Sequence, residues 1–131
     1  TMQNSPRYDQ VVEEVGEFLA QRVEVCRDAG IAADQLLLDP GFGFGKSLEH
    51  NLALLKHLDR LVAMGMPVLA GLSRKSMIAH LLGRDVDKRM PASIALALIA
   101  VQKGAHIVRV HDVAETSDAL RINQALQLLG E

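Results

Sequence analysis

Short apolar runs alternate with longer helical patterns along this chain, and this alternation limits the folds that it can adopt. The apolar runs occupy residues 36–38, 67–72 and 107–111, and each is short, as buried strands are. Strands that alternate with helices form parallel βαβ units, in which each helix crosses over one face of the sheet. The sequence therefore predicts an α/β fold whose parallel strands are buried on both faces.

Helices are predicted from apolar residues spaced three and four apart and from their start and stop residues. Ser47 is a candidate N-cap, Pro91 suits a first helical turn, and Gly83 and Gly104 are candidate stops. The element order is αβαβααβα, and the helices cover residues 9–29, 48–62, 76–82, 93–101 and 115–129.

Apolar patterning also predicts which helix faces are buried. The fourth helix is apolar nearly all round and should be largely buried. In the first helix the single Cys26 is expected to be a reduced packing residue rather than a reactive thiol. The last helix should turn inward an apolar stripe of Leu120, Ile122, Leu126 and Leu129.

Three strands are few for a parallel sheet, because such a sheet leaves two hydrogen-bonding edges open. The chain also begins with a helix that no predicted strand precedes. A (β/α)8 barrel takes about 250 residues, so these 131 residues fit its second half better than a complete fold. We therefore expect one partial domain over residues 1–131, formed by the second half of a (β/α)8 barrel.

The overall charge excludes some classes of partner. The formal net charge is −2, from 14 basic and 16 acidic residues, so nothing draws the chain generally to nucleic acid or to an anionic membrane. No apolar run approaches the roughly 20 residues that span a bilayer. A cytoplasmic protein that binds neither nucleic acid nor membrane is expected.

Polar residues follow each predicted strand at its carboxyl end. They are Asp39 after the first strand, the run 73–75 (Ser-Arg-Lys) after the second, and Arg109 with His111 at the end of the third. In barrels and open parallel sheets, ligands bind outside the carboxyl ends of the strands, where the βα loops meet. The distribution predicts a catalytic site at this end of the sheet.

Asp39 follows three leucines and opens a glycine-rich loop. Its carboxylate could accept from the N–H edge of a pterin or purine, or from backbone N–H groups of its own loop; both remain open. The loop is not a phosphate-binding P-loop, because Pro40 stands where the motif needs glycine, and Lys46 breaks the dinucleotide fingerprint. Its glycines could approach a flat ligand, while Phe42 and Phe44 could stack on that ligand or enter the core, where at least one of them is expected.

Cations cluster at two of the strand ends. Arg74 and Lys75 precede a predicted helix N-terminus, which disfavours cations, so a bound anion or a nearby carboxylate should compensate them. Arg109 and His111 are two residues apart and should share a face with Ile107. They suit an oxyanion or pyrophosphate, and the alternative is an ion pair with Asp112 or Asp39. No pair of histidines is spaced with other residues that could complete a set of metal ligands, so no metal site made wholly from this chain is expected.

Residues 36–46, 73–76 and 104–113 together resemble the bacterial dihydropteroate synthase family, and the match covers essentially the whole chain. The resemblance implies strands six to eight of a (β/α)8 barrel with their helices, the first five strands being absent. It also implies a reaction in which p-aminobenzoate displaces pyrophosphate from 6-hydroxymethyl-7,8-dihydropterin pyrophosphate, giving 7,8-dihydropteroate. An enzyme of this family would be a target of sulfonamides.

The resemblance assigns roles to the strand-end residues. Asp39, Lys75 and Arg109 would hold the pterin, and Arg109 with His111 would receive the pyrophosphate, so that Lys75, Arg109 and His111 are the catalytic residues. The residues bordering p-aminobenzoate would be Ser73, Arg74, Phe44 and Gly43. Cations would stabilise the departing anion, and no side chain need act as a covalent nucleophile.

The resemblance also implies a magnesium ion whose ligand lies in the absent N-terminal half, and a homodimer or other self-association. With half of the site absent, the isolated chain is expected to be inactive. The alternatives are a pterin-binding methyltransferase-type barrel and a non-catalytic fragment that serves as an interaction module.

Overall fold

The structure is a computed structural model that describes residues 4–43, 46–73, 76–83, 85 and 88–130. Most of the predicted helices are present, with boundaries that shift by a few residues. No helix within these residues is long and apolar enough to cross a membrane. The elements are α1 (Asn4–Asp28), a 3-10 helix (Ala33–Gln35), α2 (Leu48–Lys56), α3 (Leu58–Val62), β1 (Leu69–Ala70), α4 (Ser76–Leu82), α5 (Met90–Gln102), β2 (Ile107–Val108) and α6 (Val113–Leu128).

Local residue choices explain several helix boundaries. The Ser47 hydroxyl accepts a hydrogen bond from the His50 backbone N–H (3.1 Å), so the predicted N-cap of α2 is confirmed. Gly83 and Gly104 adopt positive φ angles just after α4 and α5, as helix stops do. The single helix predicted over residues 48–62 is wrong in one respect, because the backbone at His57 (φ −110°, ψ 27°) leaves the helical region and separates α2 from α3.

Three chain segments lie side by side in parallel, in the order in which they occur along the chain. β1 pairs with β2 in the register Leu69 with Ile107 and Ala70 with Val108. The segment that ends at Leu38, which comes first along the chain, lies on the other side of β1 and joins it through a single parallel bridge between Leu38 and Val68. The predicted parallel arrangement is confirmed, although the regular ladder is shorter than the predicted strands, since it pairs only Leu69–Ala70 with Ile107–Val108.

One face of this sheet packs against helices. Leu38, Val68 and Ala70 are almost completely buried and belong to the same apolar cluster as Leu54 and Leu58 of α2 and α3. Burying one such leucine or valine stabilises a fold by about 1.5–3 kcal/mol. This outer face therefore supplies most of the core and holds the strand ends in place.

The opposite, inner face of the sheet is open. Leu37 is 47% exposed and Ile107 is 42% exposed, although both lie in apolar runs. The prediction that the strands are buried on both faces is therefore wrong for this chain. The helices within the described residues cover only the outer face, so apolar side chains such as Leu37 and Ile107 that point the other way are not covered by a helix there.

The last two helices also depart from the predicted burial. In α5 the buried residues include Leu96 and Ala100, whereas Ile99 is exposed, so this helix is buried on one side only. The inward stripe predicted for α6 is wrong except at Leu120, which is half-buried, since Ile122, Leu126 and Leu129 are all about two-thirds or more exposed. The side of α6 that faces α5 carries the buried Thr116 and Asn123 on the same face as Leu120. Cys26 in α1 is half-buried.

Candidate active site

The ends of the three parallel segments bring four of the predicted site residues together: Asp39, Ser73, Arg109 and His111. Backbone hydrogen bonds align the ends of the segments. The Arg109 N–H donates to the Ala70 carbonyl (3.0 Å) and so extends the pairing one residue beyond β2. Exposure alternates after the strand as predicted, with Arg109 and His111 exposed and Val108 and Val110 half-buried. The other predicted site residues Phe44, Arg74 and Lys75 lie outside the described part of the chain.

Asp39 uses its two carboxylate oxygens differently. Oδ1 accepts a hydrogen bond from the Gly41 backbone N–H (2.9 Å), which fixes the first turn of the glycine-rich loop. Oδ2 lies 3.8 Å from Nη1 of Arg109. The structure thus contains both contacts that the sequence left open as alternatives to ligand binding.

The pair of Asp39 and Arg109 is loose. Their side chains are 42% and 56% exposed, and an exposed ion pair of this kind contributes about 0–1 kcal/mol. Oδ2 and the guanidinium are therefore both accessible, and exchanging this contact for one with a ligand costs little. The pair can hold its two groups near each other without blocking either one.

Gly71 makes room for the Arg109 guanidinium. A Cβ atom at this position would overlap Nη2 of Arg109 and would lie 2.8 Å from its Cζ. Gly71 is buried, and its backbone conformation does not itself require glycine, so the constraint is one of space. Sequence reasoning missed this role; the signal was a glycine inside a strand pattern, which often marks a close approach.

Ser73 ties the end of β1 to the end of β2. Its buried hydroxyl oxygen accepts a hydrogen bond from the His111 backbone N–H (3.1 Å) and lies 2.9 Å from Nδ1 of the His111 ring. When the Ser73 hydroxyl donates to Nδ1, the ring carries its proton on Nε2. The serine can therefore orient the imidazole so that Nε2 is free to donate to a ligand.

The glycine-rich loop after Asp39 is held at several points. Phe42 is buried in the core, which confirms the prediction that at least one phenylalanine of the loop packs there. Gly41 and Gly43 have φ angles of 75° and 88°, a backbone conformation that residues with a Cβ atom rarely adopt. The Gly43 N–H donates to Oδ1 of Asn51 (2.8 Å), a buried residue of α2 that the sequence analysis did not single out.

Lys46 closes the same loop. Its Nζ donates to the Gly41 carbonyl (2.9 Å), and burial lowers the pKa of the ammonium group while the nearby Asp39 carboxylate partly offsets that effect. A cleft of about 350 Å³ opens beside these residues, and Glu14, Phe18 and Leu19 of α1 form its other wall. Asp39 is therefore reached from solvent through an opening that contains both apolar and charged groups.

Magnesium has no evident place among the described residues. Within them, no group of three or more His, Cys, Asp or Glu side chains is arranged to hold a metal ion. The carboxylate oxygens of Asp39 are already directed to a backbone N–H and a guanidinium. The residues that the structure describes therefore do not fit a magnesium ion.

Comparison with known proteins bears on the family. A family model described as "Pterin binding enzyme" matches residues 1–111. The dihydropteroate synthase of Haemophilus influenzae is 56% identical over 125 residues, which are 95% of this chain and 46% of that protein. The Escherichia coli K12 dihydropteroate synthase is 50% identical over 125 residues, or 44% of its length. The chain thus spans about half the length of these relatives.

Solved structures give the same result. Dihydropteroate synthase from Stenotrophomonas maltophilia, with imidazole in its active site, is 52% identical with a TM-score of 0.90, over 92% of this chain and 46% of that one. The Xanthomonas albilineans enzyme in complex with 7,8-dihydropteroate is 52% identical with a TM-score of 0.91, over 93% and 47%. The same enzyme was also solved with 4-aminobenzoic acid.

These similarities agree with the geometry of the site. Parallel strands connected by helices, with polar residues at the strand ends, are consistent with part of a (β/α)8 barrel. The resemblance seen in the sequence is confirmed by a family match over most of the chain. This chain belongs to the family of pterin binding enzymes.

Proposed function

We propose that the full-length protein containing this chain is a dihydropteroate synthase, and that the chain supplies strands six to eight of its (β/α)8 barrel. The observation that carries the proposal is the gathering of Asp39, Ser73, Arg109 and His111 at the ends of adjacent parallel segments. This gathering occurs in a chain 50–56% identical to dihydropteroate synthases of two bacteria. The substrates are 6-hydroxymethyl-7,8-dihydropterin pyrophosphate and p-aminobenzoate.

The pterin is held by Asp39, Arg109 and Lys75. The accessible Oδ2 of Asp39 accepts hydrogen bonds from the N–H edge of the ring, replacing its loose contact with Arg109. The planar guanidinium of Arg109 then lies against the face of the pterin. Lys75 follows β1 by five residues in the sequence, and its role here comes from the family resemblance.

Arg109 and His111 receive the leaving group. The arylamine nitrogen forms a bond to the exocyclic methylene carbon as the bond from that carbon to the pyrophosphate oxygen breaks, and the nitrogen then loses a proton. Negative charge grows on pyrophosphate during this step. The guanidinium and the Nε2–H of a His111 ring oriented by Ser73 stabilise that charge.

The p-aminobenzoate side of the site is formed by Ser73, Arg74, Phe44 and Gly43. The Ser73 hydroxyl has a single proton, so it donates either to Nδ1 of His111 or to the carboxylate of p-aminobenzoate, and binding of that carboxylate is linked to the orientation of the His111 ring. The two substrates are therefore coupled through one hydrogen-bonded pair. Support for this subsite comes from the 52% identical Xanthomonas albilineans enzyme, which was solved with 4-aminobenzoic acid.

Partners and cofactor follow from the same proposal. Magnesium is held by residues outside this chain, and the location is cytoplasmic. The open inner face and the unpaired strand edges favour self-association of the isolated chain, and the exposed apolar residues of α6 favour a homodimer of the full-length protein. Sedimentation showing a monomer at all concentrations would contradict the self-association.

Product formation tests the proposal. The full-length protein is mixed with pterin pyrophosphate, labelled p-aminobenzoate and magnesium, and 7,8-dihydropteroate is followed. We expect product from the wild type and a rate lower by about one to two decades in Lys75→Ala and Arg109→Ala. A folded wild-type protein that forms no product would favour the methyltransferase-type barrel, and a chain that binds neither substrate would favour the non-catalytic module.

A further inference from the structure

Asn51 uses both ends of its side-chain amide inside the protein. It lies on α2, is only 3% exposed, and its Oδ1 accepts a hydrogen bond from the Gly43 N–H (2.8 Å). Its Nδ2 donates to the carbonyl oxygen of Ser47, the N-cap of the same helix (3.0 Å). The amide therefore joins the glycine-rich loop to the start of α2.

The bond to Gly43 fixes the part of the loop that no other described contact reaches. On one side of Gly43 the chain is anchored by the buried Phe42, and further along Lys46 donates to the Gly41 carbonyl. Gly43 itself is exposed and has a positive φ of 88°, a conformation that glycine can leave easily. Asn51 holds this flexible residue in one conformation.

We propose that Asn51 is a positioning residue that shapes the arylamine side of the site by holding Gly43. The inference rests on the proposed function, because it places Gly43 beside the ring of p-aminobenzoate. Asn51 is only 3% exposed and its Oδ1 is directed to the Gly43 N–H, so it acts on the site through Gly43 and not by contact with the reacting atoms. Its effect should therefore appear in the binding of one substrate rather than in the chemical step.

The test measures KM for each substrate and kcat in the full-length protein. A neutral hydrogen bond to a backbone N–H corresponds to about a tenfold change in an equilibrium. We expect Asn51→Ala to raise KM for p-aminobenzoate about tenfold, while kcat and KM for the pterin substrate change by less than about threefold.

Asn123→Ala is the matched control. Asn123 is also a buried amide (9% exposed), and its Oδ1 accepts from Nε2 of Gln102 (3.3 Å). Gln102 is the last residue of α5 and precedes β2, so this pair lies at the opposite end of β2 from His111. Both variants should lose some stability, but only Asn51→Ala should change KM for p-aminobenzoate.

Asn51→Asp provides a rescue, because a carboxylate oxygen can still accept from the Gly43 N–H and α2 begins only a few residues earlier. Its KM for p-aminobenzoate should return most of the way to the wild-type value even if thermal stability does not. This arm also covers the case in which Asn51→Ala does not fold.

The outcomes separate the inference from the function on which it rests. Wild-type turnover with an unchanged arylamine KM in Asn51→Ala would overturn the inference and leave the synthase standing. An equal KM increase in Asn123→Ala, or in Asn51→Asp as in Asn51→Ala, would reduce Asn51 to a stabilising residue. A folded wild type without product contradicts the proposed function, and the inference falls with it.

Discussion

The two faces of the sheet are formed by the same three segments, yet they differ in what covers them. On the outer face Leu38, Val68 and Ala70 are buried with leucines of α2 and α3. On the inner face Leu37 and Ile107 are exposed. The difference shows that side chains one residue apart in sequence can serve separate purposes, because alternate residues of a strand point to opposite faces.

The comparison also separates stability from chemistry. The outer face carries the packing that holds the fold, whereas the open side carries the exposed residues Arg109 and His111 just beyond β2. Substitutions on the outer face should therefore lower the free energy of unfolding, and substitutions among the strand-end residues should lower activity at little cost in stability.

The largest effect is expected in the core. Leu54 is completely buried against the outer face, so Leu54→Ala should lower the free energy of unfolding by about 2–5 kcal/mol through lost burial and a cavity. Leu37→Ala is the matched inner-face variant and should cost less than about 1 kcal/mol in the isolated chain, because nearly half of its surface is already exposed. Urea denaturation of both measures the difference, and equal losses would remove the distinction between the faces.

Arg109 should show the opposite behaviour. In the full-length protein, Arg109→Ala should lower kcat/KM by one to two decades, since a charged hydrogen bond contributes about 1.5–3 kcal/mol. Its loose, exposed pairing with Asp39 predicts a change in unfolding free energy within about 1 kcal/mol. Near-normal turnover, or a large loss of stability with normal turnover, would contradict the role given to this residue.

Gly71→Ala tests the space that Arg109 occupies. The added methyl group displaces only the end of a flexible side chain, so the fold should survive while kcat/KM falls about tenfold, or about 1.4 kcal/mol. Gly16→Ala is the control. Gly16 lies in α1, and a Cβ atom there would meet Cδ2 of Leu61 in α3 at an ordinary contact distance of 3.8 Å. If both variants keep full activity, Gly71 does not position the guanidinium.

The smallest effect concerns Lys46. Burial lowers its pKa in the folded state below the usual 10.5, so the unfolded chain binds more protons between the folded pKa and 10.5. Stability relative to a Lys46→Met variant should therefore rise as pH increases through that window and stay level below it. Denaturation of both proteins from pH 7 to 10.5 measures the difference, and a fall with rising pH would show that the ammonium group is stabilised instead.

Much of the candidate site could be predicted from sequence because strand ends are marked locally. Asp39 and His111 each follow or end a short apolar run, and the parallel order then brings them to one end of the sheet. The Asn51 contact could not be predicted in this way, since nothing in a helical pattern shows that one amide reaches a loop eight residues earlier. Likewise, only the folded arrangement shows that Arg109 lies near Asp39 and against Gly71.

The sequence by itself determined the order of helices and strands, several helix ends and the position of polar residues after each strand, because periodicity, caps and glycines act within a few residues. The tertiary structure alone decided which faces are covered. Leu37 in the sheet and Ile122 in α6 are as apolar as their buried neighbours, yet both are exposed. Burial depends on which other element packs against a face, and that is a property of contacts between distant parts of the chain.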